Sequence, residues 1–534
     1  NLKPASHFPF PISFSLIPPM TDRDSSPVSY RRRRLSSNEE FDEKSSFFST
    51  KSIAVRDISL QSNHYYLQII VICLAVFYNW SSSSGSTSTK QAPITSVFVP
   101  NESICYATCR LRIAESLPTS LTLGQPKLST FDAWSKLITG AKRELTIAAY
   151  KSSLQGKHVL GDLHELYSPE GDSIFELLMD RGLHHNLTIK MVENYPPKDN
   201  GDNEDAMMLH ENGAANRRYL TISKVMGRGK MHSKFLLADN KNFYLGSANL
   251  DWRSLNQKLE LGVFVENCPC LGNDLRRIYD VYDQLTHGVS VELVKEEEAL
   301  YNKRNPLTIQ VDGAPTQVYI ASSPPRLNNP GRTHDLDAIL ETINSAEEFL
   351  NLHVMDYFPL FVYRKPQEHW GKIDDALRSA VVRGVKVRML TAALHYPDLL
   401  TSFLRSLQAL DGATPNSSIE VKVFKVPADE NAPVVISRER RTHKKLLVTE
   451  KTVVIGNSNW SGDYFESGTT GTAFIMNQTG DQRPLVEEMV QNFERDFNSE
   501  YAHPVEDYFE KCIQSKTGSF CEGEKDPTLF APKM

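Results

Sequence analysis

Two stretches of the chain carry the same reactive side chains in the same order. The first reads Met-His232-Ser-Lys234-Phe-Leu-Leu-Ala-Asp239 and the second Thr-His443-Lys-Lys445-Leu-Leu-Val-Thr-Glu450, so both are His-x-Lys-x4-acid. Each runs on into a Gly-x-x-Asn, Gly246-Ser247-Ala248-Asn249 and Gly456-Asn457-Ser458-Asn459. One copy would be a weak motif, since such a pattern arises by chance in roughly one chain of this length in ten; two copies with matching tails are a strong one. Imidazole, ammonium and carboxamide, each supplied twice, suit a phosphodiester. A neutral imidazole can attack phosphorus in line while a second, protonated imidazole donates to the leaving oxygen. Lysine and asparagine side chains can hold the non-bridging oxygens and offset their charge in place of a metal ion. The chain has no Gly-rich phosphate loop, no His-Glu-x-x-His and no paired Cys-x-x-Cys of zinc spacing, so no metal and no cofactor is expected.

The elements around the motif explain its spacing. Lys-Phe-Leu-Leu-Ala, then Asp-Asn-Lys-Asn, then Phe-Tyr-Leu-Gly reads as strand, turn, strand, and the second copy reads alike. Residues two apart on a strand share a face, so His232 and Lys234 point one way, as do His443 and Lys445. A turn centred between Asn240 and Lys241 would set Asn249 opposite His232, and one centred on Lys451 would set Asn459 opposite His443. A duplication extends this. Phe131 to Tyr150 parallels Asp337 to Met355, each a helix with apolar residues at three- and four-residue steps followed by a short strand. Phe175 to Gly182 before Leu187 to Val192 parallels Ala376 to Gly384 before Val385 to Leu390, each read as helix, glycine stop, strand. Alternating strands and helices predict an α/β sandwich in each half, with about 200 residues per half to bury a core. The halves are expected to pack with pseudo-twofold symmetry, each giving one histidine to a shared cleft.

These residues resemble the duplicated His-Lys-Asp motif of the phospholipase D superfamily. Gly246 to Ser254, Glu260-Leu-Gly-Val263, Cys268-Pro-Cys270, Val426 to Glu430 and Asn459-Trp-Ser-Gly462 resemble one branch, the lysosomal single-pass members of types three and four, over roughly residues 65 to 510. The resemblance implies two phospholipase D-like α/β sandwich halves sharing one cleft behind an N-terminal transmembrane helix, and a 5′-to-3′ exonuclease on single-stranded DNA and RNA. It also implies His232 as nucleophile and His443 as general acid, later the base that activates water. Lys234, Lys445, Asn249 and Asn459 would bind phosphate, with Ser247 and Ser458 of the same tails grouped with them. Asp239 and Glu450 complete the motif as braces of the hairpins. Glu450 departs from the superfamily's aspartate, and Asn457 stands where the first copy has Ser247. Two alternatives stay open: a phospholipase or transphosphatidylase using the same histidines on lysosomal phospholipid, and a catalytically silent lumenal binding protein. Family analogy alone suggests a homodimer.

The remaining sequence is read as address. Residues 1–62 read as a disordered cytosolic tail, 63–80 as a transmembrane signal anchor built on the 16-residue apolar stretch Tyr65 to Trp80, and 81–100 as a Ser/Thr-rich stalk. The two halves would occupy 101–305 and 306–534. Six of the seven cysteines follow the apolar stretch, as do sequons at Asn101, Asn186, Asn416 and Asn477, which fits a lumenal, oxidising location along the endoplasmic reticulum, Golgi and lysosome. Cys105 and Cys109 are expected to bridge Cys268 and Cys270, and Cys512 to bridge Cys521. Asn459 also lies in a sequon but is expected to be unmodified, because a glycan there would block the cleft. The net charge of −6 argues against a broad basic duplex-binding surface, though not against an enzyme that grips a strand end and stacks a base on an aromatic such as Trp460 or Tyr464.

Overall fold

The computed structural model describes residues 101–505 apart from 199–200, 295–296, 393–396 and 429–432, and the described residues form one compact unit. The expected tail, anchor and stalk, and Cys512 and Cys521, lie outside the described residues.

Two mixed sheets carry the duplication. The first is built from β1 (Arg110–Ser116), β2 (Glu144–Ala149), β3 (Thr188–Asn194), β4 (Asn216–Leu220), β5 (Phe235–Ala238), β6 (Asn242–Gly246) and β7 (Lys258–Glu266), in the order β1-β7-β6-β5-β2-β3-β4. The second uses β8 (Ala314–Ser323), β9 (Phe349–Val354), β10 (Lys386–Ala392), β11 (Ser418–Phe424), β12 (Lys445–Thr449), β13 (Thr452–Gly456) and β14 (Gly471–Asn477). Their order, β8-β14-β13-β12-β9-β10-β11, repeats the first strand for strand, and Leu307–Val311 and Ala502–Pro504 extend the two edges. Strands β2, β3 and β4 run parallel, as do β9, β10 and β11, because a helix crosses over between each pair. In the first half α1 (Thr130–Gly140) leads into β2, α2 (Pro169–His184) crosses from β2 to β3, the short helix Glu204–Glu211 crosses from β3 to β4, and α3 (Pro269–Thr286) follows the motif. In the second half α4 (Asp335–Ser345) leads into β9, α5 (Lys372–Arg383) crosses from β9 to β10, the helix Pro397–Gln408 crosses from β10 to β11, and α6 (Pro484–Phe497) takes the place of α3.

Local sequence accounts for these elements. Helix α1 starts where the Ser129 hydroxyl accepts the Asp132 N–H at 2.9 Å, and it buries Ala133, Trp134, Leu137 and Ile138 as one stripe. That stripe covers one face of the first sheet, where Trp134 meets Tyr244 edge-on at 5.7 Å. On β6 the neighbouring Phe243 points to the opposite face and meets Phe474 of the second half at 6.1 Å, so one apolar core runs through both sheets. Buried charges also join the halves. Asp274 on α3 accepts Arg332 through two bonds, of 2.6 and 2.9 Å, and Glu115 on β1 accepts Arg495 of α6 at 2.9 Å.

Two local expectations change. The hairpins are one residue out of the expected register: Leu236 faces Tyr244 and Ala238 faces Asn242, which centres the first turn on Asn240, and Leu446 faces Ile455, which centres the second between Glu450 and Lys451. The ladders end at Gly246 and Gly456, so Asn249 and Asn459 reach the site along extended tails and not as cross-strand partners. Asp239 and Asn240 both take positive φ, of 52° and 54°, which a short polar side chain tolerates and which shifts the turn. Gly182 does not stop α2, which runs on to His184. It is glycine because Ala214 O would lie 2.1 Å from any β-carbon there, whereas Gly384 does cap α5, with φ of 94°.

Candidate active site

Each motif enters its strand through contacts made by the other half. The His443 N–H donates to Leu259 O at 2.8 Å, where Arg441–Thr442 runs parallel to Lys258–Leu259. Reciprocally, the Thr470 N–H donates to Lys230 O at 2.9 Å, and the Thr470 hydroxyl accepts the His232 N–H at 3.0 Å. Alternation along the extended chain then sends His232 and Lys234 one way and Ser233 the other, where its hydroxyl pairs with Tyr282 Oη at 2.8 Å. In the second copy the alternate residue is Lys444, fully buried and held by Asp496 at 2.6 Å and by Glu115. Two carboxylates, one from each half, thus meet the ammonium of this buried lysine and offset the cost of its burial.

His232 and His443 line one cleft of about 810 Å³, together with Asn249 and Asn459. The two lysines sit just behind. Lys234 Nζ donates to His232 O at 2.7 Å and stands 3.2 Å from the ring nitrogens, and Lys445 Nζ donates to His443 O at 2.8 Å. The carboxamide oxygens of Asn249 and Asn459 have no hydrogen-bond partner among the described residues, while Asn459 Nδ2 donates to Asp356 at 3.0 Å and to Tyr464 Oη at 3.1 Å. Tyr150 and Tyr464 flank the His232 ring, with centroids 4.7 and 4.9 Å away.

The other motif residues lie elsewhere. Asp239 sits at the far end of β5, where its carboxylate accepts the backbone N–H groups of Lys142, Arg143 and Glu144 at 2.9, 2.8 and 3.1 Å. Glu450 accepts those of Glu347 and, more loosely, Glu348, at 3.2 and 3.4 Å. Both acids therefore tie a hairpin to the start of the central strand. Ser247 and Ser458, grouped above with the phosphate ligands, stand behind the cleft wall: Ser247 Oγ donates to Glu260 at 2.5 Å and Ser458 Oγ to Asp335 at 3.1 Å. Cys105 is bonded to Cys270 and Cys109 to Cys268, tying the short helix Glu102–Thr108 to the start of α3. Of the sequons, Asn101, Asn186 and Asn416 are exposed and Asn477 is half-buried, whereas Asn459 is buried in the cleft.

Glu260 is the functional residue that sequence reasoning left without a role. It lies on β7 of the first half, is fully buried, and its Oε2 accepts His443 Nδ1 of the second half at 2.7 Å, with Ser254 Oγ donating to the other oxygen at 2.8 Å. The ladders that set Gly262 opposite Gly246 and Ala473 opposite Gly456 make Gly471 the corresponding position on β14, and among the described residues no carboxylate pairs with His232. The two histidines are thus chemically unequal inside a nearly symmetric frame.

Electrostatics complete the site. Burial, then Lys234 and Lys445, hold His232 well below the usual imidazole range. Burial, then Lys445 and Lys258, do the same to His443. Burial pushes Lys445 down to about 7, against the pull of Glu260 and Asp356, and pushes Asp356 up to about 6. The cleft wall has eight lysines and arginines against four carboxylates in a chain of net charge −6. Such a site lacks negative charge, and a bound phosphodiester anion would stabilise every cation in it.

Comparison with known proteins agrees with this geometry. Residues 121–429 match the family described as PLD3/4, PLD-like domain. The chain is 36% identical over 427 residues to the 5′-3′ exonuclease PLD3 of Xenopus laevis and equally to that of Homo sapiens, covering 77% of this chain and 84% of each relative. It is 35% identical to the 5′-3′ exonuclease PLD4 of Homo sapiens, covering 74% of this chain and 78% of that one. With two unequal histidines in one cleft and relatives of that similarity along most of its length, the chain belongs to the PLD3/4 branch of the phospholipase D-like proteins.

Proposed function

We propose that the chain is a metal-independent phosphodiesterase that removes nucleotides from the 5′ end of single-stranded DNA and RNA through a phosphohistidine. The observation that carries this reading is the pairing of His443 with Glu260 across the two halves, set opposite a histidine that has cations and tyrosines around it instead. The carboxylate takes the Nδ1–H of His443, a tautomer assigned from that bond, and leaves Nε2 for the cleft. Entry of the anionic diester raises the proton affinity of both imidazoles, and Glu260 directs the proton to His443. His232, neutral, attacks phosphorus, and the P–O bond to the leaving strand breaks as His443 Nε2–H protonates that oxygen. His443, now neutral, takes a proton from water as the water oxygen displaces His232 from phosphorus. Lys234, Lys445, Asn249 and Asn459 hold the non-bridging oxygens throughout.

Nucleic acid as substrate is supported by the exonuclease names of the relatives and by the basic cleft wall. A lumenal location, with residues 63–80 as anchor, is supported by the two disulfides and the exposed sequons. The test is an end-labelled single-stranded oligonucleotide at pH about 5 in chelator, beside His232→Ala. Stepwise release of mononucleotides by the wild type alone is expected. Turnover of phospholipid vesicles in place of the oligonucleotide would overturn the substrate assignment, and near-normal turnover by His232→Ala would overturn the two-histidine scheme.

A further inference from the structure

Tyr150, Phe358, Tyr363 and Tyr464 line the cleft, and the catalytic scheme gives none of them a step. Of the rings that the sequence offered for stacking a base, Trp460 is 3% exposed and belongs to the core, and Tyr464 has its ring against His232 and its hydroxyl on Asn459. Tyr363 differs from both, lining the same cleft with 61% of its surface exposed.

Its mounting is rigid. Tyr363 sits in the turn of a hairpin formed by Leu360–Phe361 and Glu368–His369. Phe361 packs on Gly462, where a β-carbon would come within 2.6 Å of the ring. Trp370 stacks on Phe465 at 5.7 Å and 13°, and donates its indole N–H to Glu466 at 2.8 Å. The Val362 N–H donates to Asp463 at 2.6 Å. Both ends of the hairpin are therefore clamped to the short helix Gly462–Phe465 and its C-cap Glu466, a helix that begins three residues after Asn459. Tyr464 also shares a side-chain hydrogen bond with Tyr363. The turn continues through Arg364 and Lys365, which line the cleft as well.

We infer that Tyr363 is the stacking platform for a nucleobase next to the scissile phosphodiester, and that this contact selects a nucleic-acid strand over a diester without bases. The inference rests on the exonuclease reading above and supplies its specificity element. An exposed aromatic face on a fixed mount, with cations beside it for the flanking phosphates, is how single strands are held without sequence preference. Lipid tails would instead call for a continuous apolar rim, and this turn is cationic.

The experiment compares the full chain with Tyr363→Ala, Tyr363→Phe and Tyr363→Trp on single-stranded oligonucleotides that are intact or abasic at one of the first two 5′ positions. One stacked base is worth about tenfold or more, so wild-type kcat/KM should fall by roughly that factor when the base at one of these positions is missing. Tyr363→Ala should be about tenfold slower on the intact strand and indifferent to the abasic change. Phe and Trp should restore both rate and discrimination to within a few-fold. A Tyr363→Ala enzyme that keeps the wild-type abasic penalty overturns the inference. So does a Phe variant as impaired as Ala, because the residue would then act through its hydroxyl on Tyr464. A folded wild type that degrades neither strand removes the exonuclease reading and this one with it, whereas wild-type degradation of both strands at equal rates removes this one alone.

Discussion

Replacing Glu260 by glutamine changes one charge at nearly constant volume, which makes it the sharpest probe of the unequal histidines. The carboxylate accepts His443 Nδ1 at 2.7 Å in a fully buried position, with Ser247 and Ser254 donating to it as well. A unit charge about 4 Å from the imidazolium is worth roughly 4 kcal/mol at an effective dielectric near 20. The amide oxygen can still accept the Nδ1–H, and a neutral bond recovers about 1 kcal/mol of that. The net loss, about 2–3 kcal/mol, lowers the imidazolium population of His443 by roughly 30- to 150-fold at a pH above its pKa. On an unactivated oligonucleotide kcat should fall by about that factor. On a nucleotide p-nitrophenyl ester, whose leaving group departs without a proton, the burst of p-nitrophenolate should slow by only a few-fold. The pH profile supplies the sign: the carboxylate favours protonated His443, so its removal lowers that pKa and moves the alkaline limb of kcat to lower pH. Equal losses on both substrates, or an unmoved alkaline limb, would refute the assignment of His443 as general acid.

Three further outcomes are expected. Asp356, raised by burial to about 6, is an anion facing the phosphate site above that pH and a neutral acid below it, so KM for the oligonucleotide should fall as pH drops through about 6. In Asp356→Asn that step should vanish and leave the rise near pH 7 owed to Lys445; persistence of the step would show that another group titrates. Asp239→Ala removes the acceptor for three backbone amides far from the cleft, so urea unfolding should show a loss of about 1–3 kcal/mol while kcat of the folded enzyme stays within a few-fold. A large kcat loss with unchanged stability would put Asp239 in the chemistry instead. Peptide mapping without reduction should join the peptides of Cys105 and Cys109 to those of Cys268 and Cys270; replacing both residues of the Cys105–Cys270 pair, 165 residues apart, should cost about 2–4 kcal/mol in the unfolding midpoint analysis, and a cross-link from these four to Cys512 or Cys521 would contradict the pairing.

The sequence by itself determined what depends on short-range order. His-x-Lys spacing places both groups on one side of an extended chain whatever surrounds it, and the helix and strand periodicities around Ile147 and Leu352 repeat because each half must bury the same kind of sheet. The duplication, the two-half α/β architecture and the shared cleft follow from those local patterns. Tertiary structure decided what depends on contact between distant residues. Glu260 pairs with His443 across 183 residues, and nothing local to Glu260-Leu-Gly-Val marks it as the partner of one histidine and not the other. Ser247 belongs to a tail that otherwise reads as a phosphate ligand, and only the approach of β7 shows that its hydroxyl serves Glu260. Gly182 reads as a helix stop until the backbone of Ala214 is seen lying against it. The hairpin registers moved by one residue because two positive φ angles in the first turn, and an even-numbered turn in the second, are set by strand pairing and not by composition. Local propensity fixes which way a side chain faces. Which buried carboxylate a proton finds there is set by packing, since the low-dielectric core makes a single close charge outweigh everything nearby in sequence.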